Sequence, residues 1–441
     1  MVLWIGVDDT DSLSGMCTTF LATELVRDLT RDHDLIGYPR LVRLNPNIPW
    51  KTRGNGAICL RIGRGRGAPQ LIGQVDGRSI MAYPRGHRHV DPDDVADQVA
   101  VLVERWSCFD DEGTQPGFAV LRQPAPEGLY WKGVREILSK ERVLSAIDGR
   151  GVVRGYQGGR GVIGAVAATA WRPRQRTYEV LTYRSRGRWG TVRELDPLSV
   201  VEMDEAFPST FNNYDYDNRR VVLAPRTPCP VLYGIRGDVA RDLRPAMDRI
   251  RGERPDRWLI FETNQGTDNH VVRSSSPKPF RTIRFRGPVA RAPQTLPGGH
   301  VVFAVRGIDV TAYEPSKQFR SIVRALAPGD RVEVVGAVRD VPRTVNLEKL
   351  RVESLVDVVR RIENPVCPTC GKHAKSVGKG SGYRCRVCHR HFGHATAREI
   401  TIARGIGTRW YEPPASSRRH LSMPLKRMTE TLQAERVSWP A

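Results

Sequence analysis

The stretch VLWIGVDDTDSLSGMCTTFLATELVRDLTRD, residues 2–32, decides how the chain begins to fold. Its apolar start, residues 2–7, predicts a buried strand, and the acidic residues 8–14 predict a turn. Four apolar side chains then recur at helical spacing, namely Phe20, Leu21, Leu25 and Leu29. They predict a helix from Met16 to about Asp32. The chain therefore opens with a strand, a loop and a helix of α/β character.

Beyond this opening, the pattern of residues changes twice along the chain. The first region contains predicted strands at Leu35–Leu44, Ala57–Ile62 and Thr177–Tyr183, a predicted helix at about Pro92–Trp106, helical periodicity at Leu129–Ile147, an exposed Gly/Arg stretch at Gly63–Gly67 and a glycine-rich segment at Gly149–Gly164. From Asp196 the order helix, strand (Arg220–Leu223), helix (Asp238–Arg251), strand (Trp258–Glu262) predicts a second, compact α+β unit. From about Pro277 to Leu355, short strands alternate with Gly/Pro turns. That spacing is typical of a small β-barrel such as an OB-fold.

Length and composition indicate a globular protein of several domains. The 441 residues suffice for about three domains, and the chain is 40% hydrophobic and 27% charged. The longest nearly uncharged apolar stretch, Val162–Trp171, is far shorter than the roughly 20 residues that span a bilayer. Because carboxylates occur as early as Asp8, the start does not resemble a signal peptide, and we expect a cytoplasmic location.

The charge balance suggests a polyanionic partner. Lysine and arginine total 69 against 48 aspartates and glutamates, so the formal net charge is +21, spread along the chain. A nucleic acid would explain this excess. A basic charge that merely keeps the protein in solution is the alternative, because the balance does not identify the polyanion.

Four of the eight cysteines form two Cys-x-x-Cys pairs, Cys367–Cys370 and Cys385–Cys388. Two such turns joined by a hairpin can place four thiolates at about 2.3 Å from one zinc ion. Two disulfides are the alternative, which a cytoplasmic chain disfavours. Three histidines follow closely but are not needed by a site that four thiolates already close: His389, His391 and His394. The other cysteines are expected to be ordinary buried thiols: Cys17, Cys59, Cys108 and Cys229.

Three carboxylates, Asp8, Asp9 and Asp11, follow the first predicted strand, and α/β folds gather ligands at this end of a strand. Carboxylates so close together repel one another unless a cation intervenes. Mg²⁺, held by carboxylates and phosphate oxygens, is the usual cation in such a place. A solvated acidic turn is the alternative. The following stretch Gly15–Thr19 favours a site, because it opens a helix and offers N–H groups and hydroxyls.

A phosphate site also needs positive charge, and the loop PWKTRGNG, residues 49–56, supplies it. Lys51 and Arg53 are the candidate cations, and Gly54 and Gly56 permit close approach of the backbone to a phosphate.

The stretch Gly159–Gly164 matches the pattern G-x-G-x-x-G of dinucleotide-binding folds. No strand clearly precedes it and no suitably spaced acid follows, so we do not expect a Rossmann fold. Arg160 within it remains a candidate phosphate contact. The chain contains no G-x-x-x-x-G-K-[ST] motif, so a nucleotide site here would differ from a standard P-loop.

Several specific stretches bear on function. They are GVDDTD (6–11), GMCTT (15–19), RLNP (43–46), KTRGNG (51–56), PCPVLYGIR (228–236), TNQGT (263–267) and the closing Arg419-His420-Leu421. Together with the cysteine pairs they resemble the archaeal agmatidine synthetases, the tRNA-isoleucine 2-agmatinylcytidine synthetases. The resemblance covers essentially the whole chain.

The resemblance implies a multidomain α+β protein of four parts. These are an α/β kinase-like ATP-binding catalytic domain (1–193), a ferredoxin-like α+β domain on the agmatine side (194–276), an OB-fold β-barrel (277–357) and a C-terminal zinc ribbon with a basic tail (358–441). The last two parts are expected to bind tRNA.

The resemblance also implies a reaction. The family joins agmatine to C2 of the wobble cytidine in the CAU anticodon of an isoleucine tRNA, so that the tRNA reads AUA, and it splits ATP. The C2 oxygen is activated by phosphorylation and displaced by the primary amine of agmatine. Mg²⁺ on Asp8, Asp9 and Asp11 would neutralise charge on the transferred phosphoryl group. A threonine that matches Thr18 is autophosphorylated in the family, although from the residues alone Thr18 could be a helix N-cap.

Agmatine is a dication with a planar guanidinium, so its pocket should offer carboxylates or carbonyls and apolar walls. The stretch FNNYDYD, residues 211–217, has this chemistry. The candidate agmatine-binding residues are Asn212, Tyr214, Asp215 and Asp217. A polar hairpin turn is the alternative.

Two stretches combine basic side chains with aromatic rings, a composition that is typical of sites where single-stranded bases stack and phosphates bind. The candidate RNA-binding residues are Tyr313, Lys317, Phe319 and Arg320 in the expected barrel, and Arg418, Arg419, His420 and Arg427 in the tail. A solvated surface is the alternative for both.

Two other classes of function remain open. One is an ATP-dependent kinase or ligase that acts on another RNA or a small molecule; the other is a non-enzymatic nucleic-acid-binding protein. A pure binding protein would have no use for three aspartates beside Thr18. The partners expected are tRNA and agmatine, with ATP, Mg²⁺ and structural Zn²⁺ as cofactors, and with no membrane and no obligatory protein partner.

Overall fold

A computed structural model describes residues 2–87, 90–378, 380–393 and 398–428. His394 and the end of the predicted 358–441 segment lie outside these ranges. No helix in the described ranges is both long enough and apolar enough to cross a membrane.

The first 263 residues build a large mixed sheet with helices packed on it. Their elements are β1 (Leu3–Asp8), α1 (Thr18–Leu29), β2 (Asp34–Ile36), β3 (Arg40–Arg43), β4 (Gly56–Arg66), β5 (Gln70–Val75), β6 (Arg78–Tyr83), β7 (Arg85–His87), α2 (Pro92–Trp106), β8 (Gly117–Leu121), α3 (Glu127–Arg135), α4 (Lys140–Ala146), β9 (Gly151–Gly155), α5 (Gly161–Ala170), β10 (Thr177–Tyr183), α6 (Pro197–Ala206), β11 (Thr210–Phe211), β12 (Tyr214–Asp215), β13 (Arg220–Val221), β14 (Val231–Gly237), α7 (Ala240–Arg249) and β15 (Arg257–Thr263).

Thirteen of these strands form one sheet with the main order β11-β14-β10-β15-β5-β6-β2-β4-β1-β8-β9. The short strand β3 pairs with β15 and β4, and β7 pairs with β4. Strand β1 lies between β4 and β8 and is antiparallel to both, with Gly6 opposite Cys59 on one side and Ala119 on the other. The strand that carries the acidic loop is therefore held on both edges.

Two apolar cores lie against this part of the sheet. The helices α1 and α2 pack side chains such as Phe20, Leu25 and Val99 against the strands in one core. The helices α3, α4 and α5 form the other core, in which Tyr130 and Trp171 are buried. Burial of such aromatic side chains contributes about 1.5–3 kcal/mol each or more.

Several predicted elements differ in the structure. The strand predicted at Leu35–Leu44 is broken into β2 and β3, because Gly37 has a φ of +65°. The Gly/Arg stretch Gly63–Gly67 forms most of the end of β4, which continues to Arg66 and pairs there with β7. The periodicity at Leu129–Ile147 belongs to two helices, α3 and α4. The strand predicted at Arg220–Leu223 is only the two-residue strand β13 in the structure. The longer strand of this region is β14, which has seven residues and follows it.

A closed barrel follows the large sheet. Its elements are β16 (Val271–Arg273), β17 (Thr282–Thr295), β18 (Val301–Val305), β19 (Ile308–Ala312), α8 (Phe319–Arg324), β20 (Arg331–Val338) and β21 (Val345–Ser354). The order is β17-β18-β19-β21-β20, and β20 pairs with β17, which closes the sheet on itself. Strands β19 and β21 run parallel, and α8 lies between β19 and β20 in the chain. Closure leaves the barrel strands without a free edge between them.

The last described elements form two small sheets and a returning tail. The strands are β22 (Val359–Glu363), β23 (Ala374–Ser376), β24 (Tyr383–Cys385), β25 (His391–Phe392), β26 (Arg398–Thr401) and β27 (Trp410–Tyr411). Strands β23, β24 and β25 form one sheet, β22 pairs with β26, and β27 pairs with β21 of the barrel. The chain then returns to the large sheet, where Leu421 is 1% exposed in the core of α3 and α5. The multidomain α+β organisation predicted from the sequence is confirmed.

Candidate active site

A cavity of about 710 Å³ lies where the acidic loop, the loop of residues 44–56, the start of α5 and the returning tail meet. All nine residues predicted to act in catalysis or phosphate binding line it: Asp8, Asp9, Asp11, Thr18, Lys51, Arg53, Gly54, Gly56 and Arg160. Two tail residues predicted to bind RNA, Arg419 and His420, line it as well. The size is within the usual range for sites that enclose a small molecule.

The acidic loop is held in place by two arginines. The Nη2 of Arg160 lies 2.8 Å from the Oδ2 of Asp9, and the Nη2 of Arg53 lies 2.7 Å from the Oδ2 of Asp11. Arg53 also donates to the carbonyl oxygens of Gly15 and Met16, which joins the acidic loop to the start of α1. Both arginines predicted to bind phosphate thus contact carboxylates directly.

The three carboxylates lie in surroundings that disfavour their charge. Burial, together with the charges of Asp9 and Asp11, raises the pKa of Asp8 well above its usual value. Burial also raises the pKa of Asp9 and of Asp11, although Arg160 and Arg53 respectively oppose the shift. A divalent cation would relieve this repulsion, and carboxylates are ligands that Mg²⁺ takes.

Two glycines of the G-x-G-x-x-G stretch bring α5 against the acidic loop. A Cβ on Gly164 would lie 1.7 Å from the Oδ2 of Asp8, and a Cβ on Gly161 would lie 2.5 Å from the Asp8 carbonyl oxygen. Strand β9 does precede this stretch, so the expectation that no strand precedes it was wrong. Here the glycines allow a helix start to pack against an aspartate that a larger residue would displace.

Thr18 is the first residue of α1 and is 5% exposed. Its Oγ1 accepts a hydrogen bond of 3.1 Å from the Oγ1 of Thr10 in the acidic loop. Cys17 occupies the N-cap position, so the alternative interpretation of Thr18 as the N-cap is wrong. The Thr18 hydroxyl therefore lies on the cavity wall beside the carboxylates.

Sequence reasoning gave no role to three charged residues of the cavity wall, Arg43, Glu179 and Arg236. Arg43 ends β3, and Glu179 and Arg236 are cross-strand partners on β10 and β14. Glu179 accepts a hydrogen bond of 2.8 Å from Arg236 and one of 2.5 Å from Gln265. Arg43 and Arg236 both lie in stretches that carry the family resemblance, which was the available signal.

The candidate agmatine-binding residues lie elsewhere. The stretch of residues 211–217 runs from the end of β11 into the β12–β13 hairpin, in which the Oδ1 of Asp215 accepts from Asn218. The Oδ1 of Asn212 accepts from Arg418 at 2.8 Å. None of Asn212, Tyr214, Asp215 and Asp217 is among the residues that line the cavity in the described part of the chain. Their role in agmatine binding stays a prediction.

The candidate RNA-binding residues of the barrel are mixed in accessibility. Phe319 is 3% exposed and packs in the barrel core, so it cannot stack on a base, and this assignment is corrected. The hydroxyl of Tyr313 accepts from Arg339, and Lys317 pairs with Glu314 at 3.4 Å. Arg320 donates to the carbonyl oxygen of Gly299.

The tail cations are engaged within the protein. Arg418 pairs with Glu412 at 2.9 Å, and Arg427 pairs with Asp238 at 2.7 Å. Arg419 donates to the Oδ1 of Asn47. Their contacts fix the tail on the large sheet, and direct contact of Arg418 and Arg427 with RNA stays a prediction.

The four cysteines of the two Cys-x-x-Cys pairs form a cluster. The sulfur atoms of Cys367, Cys370, Cys385 and Cys388 all lie within 4.8 Å of one another. The shortest separations, 3.4 and 3.5 Å, are far longer than the bond of about 2.05 Å in a disulfide. The thiols are free, so the alternative of two disulfides is not supported. Four sulfurs at this separation fit a tetrahedral zinc site.

The protein thus combines a carboxylate-lined cavity, a closed barrel and a four-cysteine cluster, and its class follows from the known proteins that share this arrangement. Family models match the TiaS TCKD domain at residues 4–158, the TiaS FLD domain at 159–270 and the TiaS C-terminal zinc ribbon domain at 364–406. The chain belongs to the TiaS family, as the resemblance in its sequence predicted.

Individual relatives match over nearly the whole length. TiaS of Methanocaldococcus jannaschii, a 2-agmatinylcytidine synthetase for the second isoleucine tRNA, is 37% identical over 97% of this chain and 99% of its own. A crystal structure of TiaS in complex with that tRNA and ATP matches with a TM-score of 0.83 and 35% identity, over 97% of this chain and 98% of that one. A complex of TiaS with the same tRNA, AMPCPP and agmatine matches with a TM-score of 0.80 and 34% identity, at the same coverage.

Proposed function

We propose that this chain is an ATP-dependent ligase that conjugates agmatine to C2 of the wobble cytidine in the CAU anticodon of isoleucine tRNA. The product, 2-agmatinylcytidine, lets the tRNA decode AUA. The observation that carries the proposal is the cavity in which three aspartates, Thr18 and two arginines meet, in a chain of the TiaS family. The partners are tRNA and agmatine, and the cosubstrate is ATP.

The chemistry explains why this cavity needs a phosphoryl-transfer apparatus. The C2 oxygen of cytosine is a poor leaving group. Transfer of the γ-phosphoryl group of ATP to this oxygen, with breakage of the bond to the β,γ-bridging oxygen, makes its departure feasible. The primary amine of agmatine then forms the new C–N bond at C2, the C2–O bond breaks, and the oxygen leaves with the phosphate. Mg²⁺ at Asp8, Asp9 and Asp11 would supply neutralising charge for the phosphoryl group.

Residues of this chain have distinct roles in that scheme. Asp8, Asp9 and Asp11 would hold the cation, whose charge would offset the burial that raises their pKa values. Thr18, which lines the same cavity and accepts a hydrogen bond from Thr10, would receive a phosphoryl group. The two arginines orient the acidic loop through Asp9 and Asp11.

Phosphate contacts come from the loop of residues 51–56. Lys51 lies on the cavity wall and is exposed, with only the carbonyl oxygen of Ile48 as a partner of its Nζ at 3.3 Å in the described structure. It is free to turn toward a phosphate, and Gly54 and Gly56 leave the backbone accessible. Arg53 and Arg160 would contact phosphate from their positions beside the carboxylates.

We also propose the identity of the four parts. The order β17-β18-β19-β21-β20, with β19 parallel to β21, supports an OB-fold at residues 277–357. A kinase-like domain at 1–193, a ferredoxin-like domain at 194–276 and the ribbon with its tail at 358–441 complete the order. Zn²⁺ would bind the four sulfurs and stabilise the ribbon. Tyr313, Lys317 and Arg320 would contribute RNA contacts on the barrel.

A nucleoside analysis tests this function. The purified protein is incubated with an isoleucine tRNA transcript that carries CAU, with ATP, Mg²⁺ and agmatine, and the digested tRNA is examined by mass spectrometry. We expect 2-agmatinylcytidine in the complete mixture and none when ATP, Mg²⁺ or agmatine is omitted. ATP turnover without any modified cytidine would instead indicate a kinase or ligase with another substrate, and tRNA binding without ATP turnover would indicate a binding protein.

A further inference from the structure

The cavity has a basic wall in addition to its acidic loop. Arg43, Arg236 and His420 line this wall and come from β3, β14 and the tail. Like charges gathered in one cavity are unfavourable unless an anion is bound between them.

Arg43 is held firmly but lacks partners for its side chain. Its backbone N–H donates to the Oδ1 of Asn264 at 2.7 Å, and its carbonyl oxygen accepts from the Nδ2 of Asn264 at 2.8 Å. Its Nε is buried without a hydrogen-bond partner, and within the described ranges the guanidinium forms no ion pair. Arg43 is partly buried, and a buried N–H donor of a charged group that has no acceptor is unfavourable.

Neighbouring residues give Arg43 room but no acceptor. A Cβ at Gly54 or Gly56 would lie 2.5 or 2.9 Å from the Nη1 of Arg43, so glycine at both positions leaves room for the guanidinium in its present place. Among the neighbouring groups, the carboxylate of Glu179 does most to offset the positive charge of Arg43. Both of its oxygens already accept hydrogen bonds from Arg236 and Gln265. The donors of Arg43 are therefore available to a ligand.

His420 lies next to Arg43 on the same wall. A Cβ at Gly54 would lie 3.3 Å from the Nε2 of His420 and 2.5 Å from the Nη1 of Arg43, so the two side chains share one small space. The backbone of His420 is fixed by a hydrogen bond of 2.8 Å from the N–H of Gly266. Its ring nitrogens have no hydrogen-bond partner in the described part of the chain. The neighbouring charge of Arg43, followed by partial desolvation and the charge of Arg236, lowers the pKa of His420 well below its usual value, although the residue is exposed.

We propose that Arg43 and His420 form an anion subsite of the cavity and that its ligand is a phosphate ester. A planar guanidinium with free N–H donors matches two phosphate oxygens, and a neutral imidazole adds a further N–H donor. The inference rests on the proposed function, which brings two phosphate esters to this cavity. These are the triphosphate of ATP and a backbone phosphate of the tRNA nucleotide that enters it.

Two binding measurements on Arg43→Gln and His420→Gln test the subsite and separate the two sources. Affinity for a non-hydrolysable ATP analogue is measured by calorimetry without tRNA. Affinity for the CAU-bearing isoleucine tRNA is measured by filter binding without ATP, over a range of salt. We expect each variant to weaken one of the two by about tenfold or more. Loss in the first assay identifies the triphosphate, and loss in the second, with a reduced salt slope for Arg43→Gln alone, identifies the RNA phosphate.

Controls separate binding from folding. Arg241→Gln removes a cation whose side chain is 89% exposed on α7, and it should leave both affinities unchanged. Thermal unfolding of the unliganded Arg43→Gln protein should occur at or above the wild-type temperature, because the variant removes a partly buried charge whose Nε has no hydrogen-bond partner. A lower temperature for Arg43→Gln would show a structural role for this arginine and would overturn its assignment.

The subsite and the proposed function can fail separately. The subsite is overturned if both variants keep affinities within about twofold of wild type in both assays. This holds even if the enzyme forms 2-agmatinylcytidine. The opposite result is also possible. If the variants bind phosphate esters more weakly but the wild-type protein makes no 2-agmatinylcytidine, the subsite is retained and the proposed function is overturned.

Discussion

Asp8 shows how one residue connects folding with ligand binding. It ends the strand β1 and lies against Gly161 and Gly164 of α5, and burial together with two neighbouring aspartates raises its pKa. A carboxylate with a raised pKa in the folded state favours unfolding once the pH is high enough to ionise it. The acidic loop therefore lowers the free energy of unfolding of the protein at neutral pH, and a bound cation would restore it.

We predict that Asp8→Asn stabilises the protein without Mg²⁺ and abolishes ATP-dependent modification. At neutral pH the unfolding temperature should rise by about 2–4 °C, the shift that about 1 kcal/mol produces in a domain of this size. The gain should disappear as the pH falls toward the ordinary aspartate value, because Asp8 is then protonated in the folded wild-type protein too. Mg²⁺ should raise the unfolding temperature of wild type but not of the variant.

The matched control is Asp148→Asn, which removes an exposed carboxylate from the loop before β9. It should change neither the unfolding temperature nor its response to Mg²⁺. If Asp8→Asn lowers the unfolding temperature, the raised pKa and the cation assignment are both contradicted.

At the scale of elements, the close contact of α5 with β1 places the acidic loop. The spacing of Gly161 and Gly164 made these glycines visible as a motif but did not reveal their purpose. The pattern resembled a dinucleotide-binding turn. In the structure its glycines instead allow the start of α5 to pack against Asp8. Contacts between elements far apart in the sequence, such as Asp9 with Arg160, leave no periodic signal and could not be predicted from spacing.

We predict that Gly164→Ala removes activity and lowers the unfolding temperature. The added methyl group would overlap the Asp8 carboxylate, so either the helix or the aspartate must move, at about 1–3 kcal/mol. Gly128→Ala in α3 is the control, because no heavy atom of the described residues lies within 4 Å of the new methyl group. It should be neutral or stabilising by up to about 1 kcal/mol. Equal behaviour of the two variants in thermal unfolding and tRNA modification would contradict this explanation.

The ribbon was the element most readily predicted, because metal-ligand spacing is local in the sequence. We predict that Cys385→Ser reduces the zinc content, measured by atomic emission. It should also weaken tRNA binding by about tenfold or more, because a structural zinc site supplies much of the stability of the ribbon that holds it. Affinity for an ATP analogue should not change, because the cysteine cluster is separate from the cavity. Ser376→Ala on β23 is the control, and a Cys385→Ser protein that keeps its zinc would contradict the four-cysteine site.

At the scale of the whole molecule, the tail closes the cavity after the chain has passed through the barrel and the ribbon. Met423 donates its N–H to the Oδ1 of Asp268, and the carbonyl oxygen of Leu421 accepts from the N–H of Asp268. Arg419 reaches Glu348 of the barrel at 3.4 Å. The sequence showed the tail as a basic stretch typical of RNA binding. Its return to the large sheet could not be predicted, because it depends on the complete fold.

We predict that Leu421→Ala loosens the tail and lowers modification activity. The side chain is 1% exposed in the core with α3 and α5, so its truncation should destabilise this region by about 2–5 kcal/mol. Limited proteolysis should cleave the tail of the variant faster than that of wild type. Leu198→Ala, which truncates a leucine that is 60% exposed on α6, should be neutral in both assays. Full activity of Leu421→Ala would show that the tail is not part of the catalytic cavity.

The central claim, that this cavity modifies the wobble cytidine of isoleucine tRNA, is tested most directly by the transfer of labelled agmatine to two tRNAs that both carry CAU. The label should enter isoleucine tRNA only when ATP and Mg²⁺ are present, and Asp9→Ala should abolish the transfer while tRNA binding is retained. Methionine tRNA should remain unlabelled under the same conditions. Equal labelling of both tRNAs, or no labelling of isoleucine tRNA by the wild-type protein, would contradict the account.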